Sequence, residues 1–192
     1  SIEEGLAPGD RVFVLNSNDI FGINNDVELA KLMGYISTDG YIKSPNSVQF
    51  INIRKMYVDE FEEIIKNKFP NSKITRRTIL PYIDESGVHR QLTYSCFVSG
   101  EGENTLSKFL ISINCIDRYT REDMGIEYAY RLSKEALLYF INRAYSGDGC
   151  IYTNTAKKYD SSAISMHGGN HKTLNKFRLL LRKLGIFTSK VY

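Results

Sequence analysis

The chain has no tryptophan, four prolines, three cysteines and three histidines in 192 residues. Each shortage excludes something. Cys96, Cys115 and Cys150 lie far apart and form no paired metal-binding spacing. They build no disulfide scaffold and read as reduced core residues of a cytoplasmic protein, in the nucleoid or, in a eukaryote, the nucleus. His89, His167 and His171 lack zinc spacing. No run approaches the ~18–20 apolar residues of a membrane helix, and no secretory signal is visible, so no membrane partner is expected. Net charge is only +3, too little by itself to announce a nucleic-acid partner. What the chain does have is 42% hydrophobic content, enough for a normal core in one compact domain or two small repeats.

It also has a phrase that occurs twice. Leu32-Met33-Gly34-Tyr35-Ile36-Ser37-Thr38-Asp39-Gly40 is one copy, and Ile141-Asn142-Arg143-Ala144-Tyr145-Ser146-Gly147-Asp148-Gly149 is the other. Each follows a segment with helical apolar spacing, ends in Asp-Gly and leads into a strand-like segment. The two aspartates are 109 positions apart, which implies a unit of about a hundred residues used twice. Asp-Gly alone is ordinary turn chemistry. Two copies in matched contexts argue for a shared device.

In the first copy Leu29, Leu32, Met33 and Ile36 make one helical face. Asn25 is the expected cap, with Glu28 in a capping-box position, and Gly40 suits a left-handed residue past the helix end. In the second, Ser133 is the expected cap, and Leu137, Phe140, Ile141 and Ala144 form the stripe. Asp39 and Asp148 therefore stand at helix C-termini, where the dipole disfavours a carboxylate by about 0.3–1 kcal/mol. Two acids so placed ask for a cation, and carboxylate plus carbonyl oxygens suit Mg²⁺ or Ca²⁺.

After Gly40 the pattern reads as a hairpin (41–43 and 47–53), a helix over 56–69, strands over 73–80 and 88–98, and a helix over 104–113. Lys73, Thr75, Arg76, Arg77 and Thr78 on one strand, and Arg90, Gln91, Thr93 and Ser95 on the next, make a polar ribbon. A ribbon of that kind fits a major groove, with Arg pairing to guanine and Gln or Asn to adenine, although polar-out alternation also produces a plain solvated face. The acids Asp59, Glu60, Glu62 and Glu63 gather on one helix, leaving the bases to concentrate elsewhere. The second unit repeats the order: a hairpin (150–155 and 162–167) around Lys157 and Lys158, then a helix capped by Asn170 and ended by Gly185.

At the repeated phrase the sequence resembles the LAGLIDADG homing endonucleases. Leu32, Gly34, Ile36, Asp39 and Gly40 are identical to the family phrase; Asp148 and Gly149 are identical in the second copy, with Ile141, Tyr145 and Gly147 as substitutes. The resemblance implies an α+β fold of two pseudo-symmetric αββαββα units, the motif helices side by side and DNA-reading mixed or antiparallel sheets flanking them. It implies a leader strand over 1–24, a first unit over 25–130 and a second over 131–192, the last short of its final strands and helix. The leader phrase Pro8-Gly9-Asp10 resembles an intein splicing segment, as 180–186 resembles a phrase of intein endonucleases; the Lys190-Val191-Tyr192 end lacks the His-Asn of a splicing terminus. One departure is Arg143, where the family places a small residue as it does at Gly34; Ala144 is the expected substitute at the contact.

The activity implied is Mg²⁺-dependent (Mn²⁺ or Ca²⁺ substituting) hydrolysis of both strands of a long asymmetric DNA site, leaving short 3′ overhangs. The implied metal site is Asp39 and Asp148 with the backbone of Gly40 and Gly149. Assisting groups are drawn from Lys55, Arg54 and Asn52, from His167, Asn170 and Lys172, and from Arg118 or Arg121, where intein relatives often carry Lys. DNA-contact candidates are Lys43, Gln49, Asn52, Arg54, Lys73, Thr75, Arg76, Arg77, Arg90, Gln91, Thr93, Thr153, Asn154, Lys157, Lys158 and His167. An intein splicing domain or a completing C-terminal segment are the further partners. The alternatives are an inactive nucleic-acid binder, either an RNA splicing maturase or a DNA-binding regulator, and a plain structural domain.

Overall fold

A computed structural model of the chain describes residues 20–44, 47–100, 105–113, 115, 125–154, 161–168 and 171–189. The leader over 1–19 and the Asn170 cap lie outside the described residues.

Helix α1 (Val27–Asp39) buries Ala30, Leu32, Met33 and Ile36, the stripe set by their spacing. Its cap is Asp26, whose Oδ1 accepts from Leu29 N at 3.0 Å. The sequence expectation of Asn25 is corrected for a long-range reason: the Asn25 side chain accepts from Ser133 Oγ at 2.6 Å, at the start of the second motif helix. Gly40 is extended (φ −77°), not left-handed; the chain enters strand β1 (Gly40–Ser44) without a turn residue. Its lack of a side chain serves closeness instead, since a Cβ there would lie 2.5 Å from the carbonyl oxygen of Ile36.

Strand β2 (Ser47–Asn52) pairs antiparallel with β1. Helix α2 (Lys55–Lys68) then turns Val58, Phe61, Ile64 and Ile65 into the core. Strand β3 (Lys73–Ile79) is followed by a two-residue ribbon, β4 (Tyr82–Ile83) and β5 (His89–Arg90), and then β6 (Thr93–Ser99). The expected single strand over 88–98 is thus broken at Gln91-Leu92. The first sheet runs β1-β2-β6-β3, antiparallel throughout. Val48, Phe50, Cys96 and Val98 are fully buried on its inner face, where Phe50 stacks on Phe61 with centroids 4.8 Å apart. Helix α3 (Thr105–Ser112) follows, and then a single turn, α4 (Ile126–Ala129), that the apolar spacing did not announce.

Helix α5 (Lys134–Asp148), capped by Ser133 as expected, begins the second unit. Strands β7 (Gly149–Asn154) and β8 (Ser161–Met166) form an antiparallel pair, and α6 (His171–Lys183) buries Phe177, Leu180 and Leu181 before Gly185 ends it in the left-handed region. Helices α1 and α5 pack side by side. A Cβ on Gly34 would sit 2.5 Å from Phe140 O, so Gly34 lets the backbones touch, and one on Gly147 would sit 2.4 Å from Thr38 Oγ1, so Gly147 makes room for the Thr38 and Asp39 side chains. Ala144 is fully buried beside them. The starts of the two helices are clasped together: Asn24 bridges Leu132, Ser133 N donates to Asn24 O at 2.7 Å, and Gly22 N donates to Leu132 O at 2.9 Å. No helix among the described residues is long and apolar enough to cross a membrane.

Candidate active site and nucleic-acid interface

Asp39 and Asp148 are the last residues of α1 and α5, so the clasped, parallel-running helices deliver both carboxylates to one place. A Cβ on Gly147 would lie 2.9 Å from Asp39 Oδ2, which puts the end of α5 directly against the Asp39 side chain. Burial pushes the Asp39 carboxyl above its ordinary value, against the hydrogen bond that Asn52 Nδ2 donates to Oδ2 at 2.7 Å. Burial, with the charge of Asp39 adding to it, lifts Asp148 to about 6, and His167 opposes the rise. Two part-buried carboxyls, both raised by burial and Asp148 raised further by the charge of Asp39, are a site short of positive charge.

That donor set fits a hard cation. Carboxylate oxygens from two helix ends, with helix-terminal carbonyls beside them, are ligands that Mg²⁺ accepts while keeping several waters. Among the described residues no group of three or more His, Cys, Asp or Glu side chains forms a metal cage, so a two-carboxylate, water-rich site is the one these residues can offer.

The assisting candidates are placed unequally. Asn52 is directly on Asp39, and its Oδ1 is occupied by Arg54 N at 2.8 Å, so the amide is fixed toward the carboxylate rather than turned outward. Arg54 is exposed, lies over the Tyr57 ring at 5.9 Å and borders a groove shared with Tyr145 and Gly149. His167 is exposed; its backbone N donates to Asp148 O at 3.0 Å, and its Nε2 is 3.2 Å from Ser165 Oγ. Lys55 is engaged elsewhere, by an ion pair with Asp59 at 2.9 Å. Lys172 is exposed on the first turn of α6. Arg118, Arg121, Lys157 and Lys158 lie outside the described residues.

Strand register sorts the DNA-contact candidates. Residues paired across antiparallel strands share a face. Thr75, Phe97, Gln49 and Tyr41 form one row across the sheet, and Arg77, Ser95 and Ile51 form the next. Both rows lie opposite the Val48–Val98 core face, and Lys73 and Thr93 share their side. Arg77 stacks over Phe97 at 5.1 Å, and Gln49 Nε2 donates to Ser95 Oγ at 3.1 Å. Arg76 is the correction. It pairs with Cys96, on the inner side, and its guanidinium holds Glu62 and, at 2.7 Å, Asp59 on α2. Arg90, in the β4–β5 ribbon, is ion-paired with Asp84 at 2.6 Å, and Gln91 is exposed beyond it. Lys43, Thr153 and Asn154 are placed on β1 and β7 by backbone alone.

Sequence reasoning missed one cluster. Glu60 of α2 accepts from Lys31 Nζ at 2.8 Å, Tyr35 Oη at 2.5 Å and Arg143 Nε at 2.6 Å. Burial works to raise the Glu60 carboxyl, but the Arg143, Lys31 and Tyr35 hydrogen bonds overcome it and hold the group at about 2. The available signal was Arg143 itself: an arginine in a helix-packing slot needs an acid within reach, and Glu60 stood in the acidic run.

No family model matches the chain. Two curated relatives do, the ribonucleoside-diphosphate reductase NrdEB subunits alpha of Bacillus subtilis (strain 168) and of Bacillus phage SPbeta. Each is 21% identical over 193 residues, covering 96% of this chain and 17% of the relative's length. The chain therefore spans about a sixth of those proteins. Among solved structures, the homing endonuclease I-WcaI bound to its DNA recognition sequence superposes with a TM-score of 0.52 and 14% identity, over 93% of this chain and 76% of that one. The chain is a mixed α+β protein, with antiparallel sheets and six helices among the described residues, and its fold is similar to that of a homing endonuclease.

Proposed function

We propose that this chain is a site-specific double-strand DNA endonuclease of the LAGLIDADG type. The observation that carries the reading is the meeting of Asp39 and Asp148 at paired helix ends, each raised by burial, with charge repulsion raising Asp148 further. A plain structural domain gains nothing from that arrangement. The outer sheet face, with Arg77, Lys73, Thr75 and Gln49, supplies groove-reading groups and phosphate contacts.

Asp39 and Asp148 would hold Mg²⁺, with the Gly40 and Gly149 backbone beside them. A divalent ion held there would supply activation of a water and stabilisation of the charge that develops on the phosphate oxygens. Asn52 orients the Asp39 carboxylate, and the His167 backbone N–H, donating to Asp148 O, holds the end of α5 against β8. As the resemblance to the LAGLIDADG endonucleases implies, the two adjoining carboxylates would serve one cut on each strand across a single minor groove, leaving short 3′ overhangs. The match to a small part of much longer reductase subunits supports an element carried within a host protein, as an intein is. Such an element acts where its host's DNA lies, in the cytoplasm and nucleoid, or in the nucleus of a eukaryote.

A second reading is favoured by the engagement of Lys55 with Asp59, which removes one basic group from the reacting phosphate. It is an inactive DNA or RNA binder on the same scaffold. Incubation with a random DNA library and Mg²⁺, followed by sequencing of cut ends, separates the two. Cuts at a long, partly degenerate motif, abolished in Asp39→Asn and Asp148→Asn while DNA is still retained, support the endonuclease. Retention without cuts supports the binder, and no retention at moderate salt rejects both.

A further inference from the structure

The repeat allows the surroundings of the two acids to be compared residue by residue. In the first unit Gly40, which follows Asp39, pairs with Phe50 of β2; in the second, Gly149, which follows Asp148, pairs with Met166 of β8. Two residues beyond those partners stand Asn52 and Gly168. The helices that follow give the same equivalence. Asn52 precedes Lys55, the first residue of α2, by three positions, and Gly168 precedes His171, the first residue of α6, by three. Gly168 is thus the counterpart of Asn52. The amide that donates to Asp39 Oδ2 at 2.7 Å has no equivalent on the Asp148 side. Among the described residues no hydrogen bond reaches the Asp148 carboxylate.

The residue before each acid differs in the same sense. Thr38 precedes Asp39, and Gly147 precedes Asp148. Because Gly147 has no side chain, the end of α5 closes on Asp39, where a Cβ would lie 2.9 Å from Oδ2. Asp39 Oδ2 is therefore fixed between the Asn52 amide and the end of α5, and Oδ1 is the oxygen left for a ligand. The matching position on α1 carries Thr38, whose Oγ1 turns back to Gly34 O and Tyr35 O, each at 3.4 Å. Neither restraint on Asp39 is repeated at Asp148.

A carboxylate already held in one orientation loses less freedom on meeting a cation than one that must first be ordered. Partners that orient a ligand in this way are worth about 10–100-fold in metal affinity. We propose that the two carboxylates work unequally: Asn52 makes Asp39 the preorganised ligand that captures a divalent cation first, and Asp148 completes the site second. The proposal rests on the reading of Asp39 and Asp148 as the metal-binding acids. On DNA it makes the two cuts sequential, with the same strand nicked first each time.

The test uses the chain labelled with ¹³C at its aspartate carboxyls and titrated with Mg²⁺ in the absence of DNA. Asp39→Asn and Asp148→Asn assign the two resonances. Asp39 is expected to reach its midpoint at a Mg²⁺ concentration about tenfold below that of Asp148. Gly168→Asn supplies the second unit with the missing amide and is expected to bring the Asp148 midpoint toward that of Asp39. The position accepts a side chain: Gly168 lies outside the left-handed region, and its Cβ would first meet Leu174 Cδ2, the end of a flexible side chain, at 3.1 Å. Asn52→Gly, the reverse exchange, is expected to abolish the difference. It also frees Arg54 N, so its amide spectrum is checked for the fold, and where that is lost Gly168→Asn decides.

A common midpoint in the wild type, or a difference untouched by Gly168→Asn, overturns the proposal and leaves the metal site standing. Failure of both carboxyls to respond to Mg²⁺ overturns the metal-binding reading and the proposal with it. On a cleavable duplex the wild type is expected to accumulate a nick in one strand, and Gly168→Asn to shorten the life of that intermediate. Nicks divided equally between the strands overturn the sequential order.

Discussion

Arg143 crosses from α5 to α2 and grips Glu60 with two hydrogen bonds, Nε to Oε2 at 2.6 Å and Nη2 to Oε1 at 2.8 Å. The pair stands where two symmetric motif helices would place another small residue, so the second helix is fastened by charge where the first relies on Gly34. Glu60→Ala leaves Arg143 and Lys31 half-buried without their shared acid, and an expected loss of about 2–3 kcal/mol follows. The Glu60 carboxyl lies at about 2 against 4.5 unfolded, so its contribution is present above 4.5 and lost as pH falls through 2. Urea denaturation at pH 7 and pH 2.5 checks both points. The wild type is expected to lose stability over that interval more steeply than Glu60→Gln.

The opposite sign holds at Asp148. Its folded value of about 6 exceeds the unfolded 3.8, so the stability linked to it is fully present below 3.8 and is lost as pH rises through 6. Without divalent ions, Asp148→Asn is expected to stabilise the protein at pH 7.5 by about 1–2 kcal/mol, after allowance for solvent screening, and to change little below pH 4. Mg²⁺ is expected to raise the melting temperature of the wild type at pH 7.5, and to raise it less at pH 5 or in Asp148→Asn. Melting curves in EDTA and in Mg²⁺ at the two pH values read each arm.

Gly34→Ala drives a methyl group into Phe140 O and Arg143 Cβ, at 2.5 and 2.9 Å in the present packing. The helices must separate, at a cost of about 1–3 kcal/mol. Denaturation measures that cost. Cleavage is expected to fall further than stability alone explains, because the same displacement separates Asp39 from Asp148.

Arg76 and Arg77 are neighbours in sequence with opposite expected effects. Arg77→Ala, on the outer face, is expected to weaken DNA binding about tenfold and to reduce the salt slope by about one. Arg76→Ala is expected to leave the salt slope unchanged and to cost less than about 1 kcal/mol of stability, since its pairs with Asp59 and Glu62 are part-exposed. Binding titrations from low to moderate salt distinguish the two.

The motif helices, both hairpins and the cap at Ser133 were legible because each is specified locally, by apolar spacing and an adjacent capping group. The repetition indicated one acid from each unit; that Asp39 and Asp148 meet was implied by the resemblance carried by the repeated phrase. Long-range partners decided the rest. Asn25 has the chemistry of a cap, but Ser133 draws its side chain away and Asp26 takes the role. Arg76 and Arg77 look alike in a mostly polar strand; alternation from the inward Ile74 turns Arg76 to the inner side, and the acids of α2, distant in sequence, supply the partners that accept it there. The short α4 turn and the break at Gln91-Leu92 have no periodic signal.

The clasp of Asn24, Asn25, Leu132 and Ser133 also has a mechanical consequence. It is a pivot, and each motif helix is a rigid arm of 13 or 15 residues, about 20 Å long, with a carboxylate at its far tip. A change of about 5° in the opening angle at the pivot moves the tips apart by about 2 Å over that length. Small alterations in residues 20–26, at the opposite end of α1 from Asp39, are thereby geared directly to the spacing of the two acids.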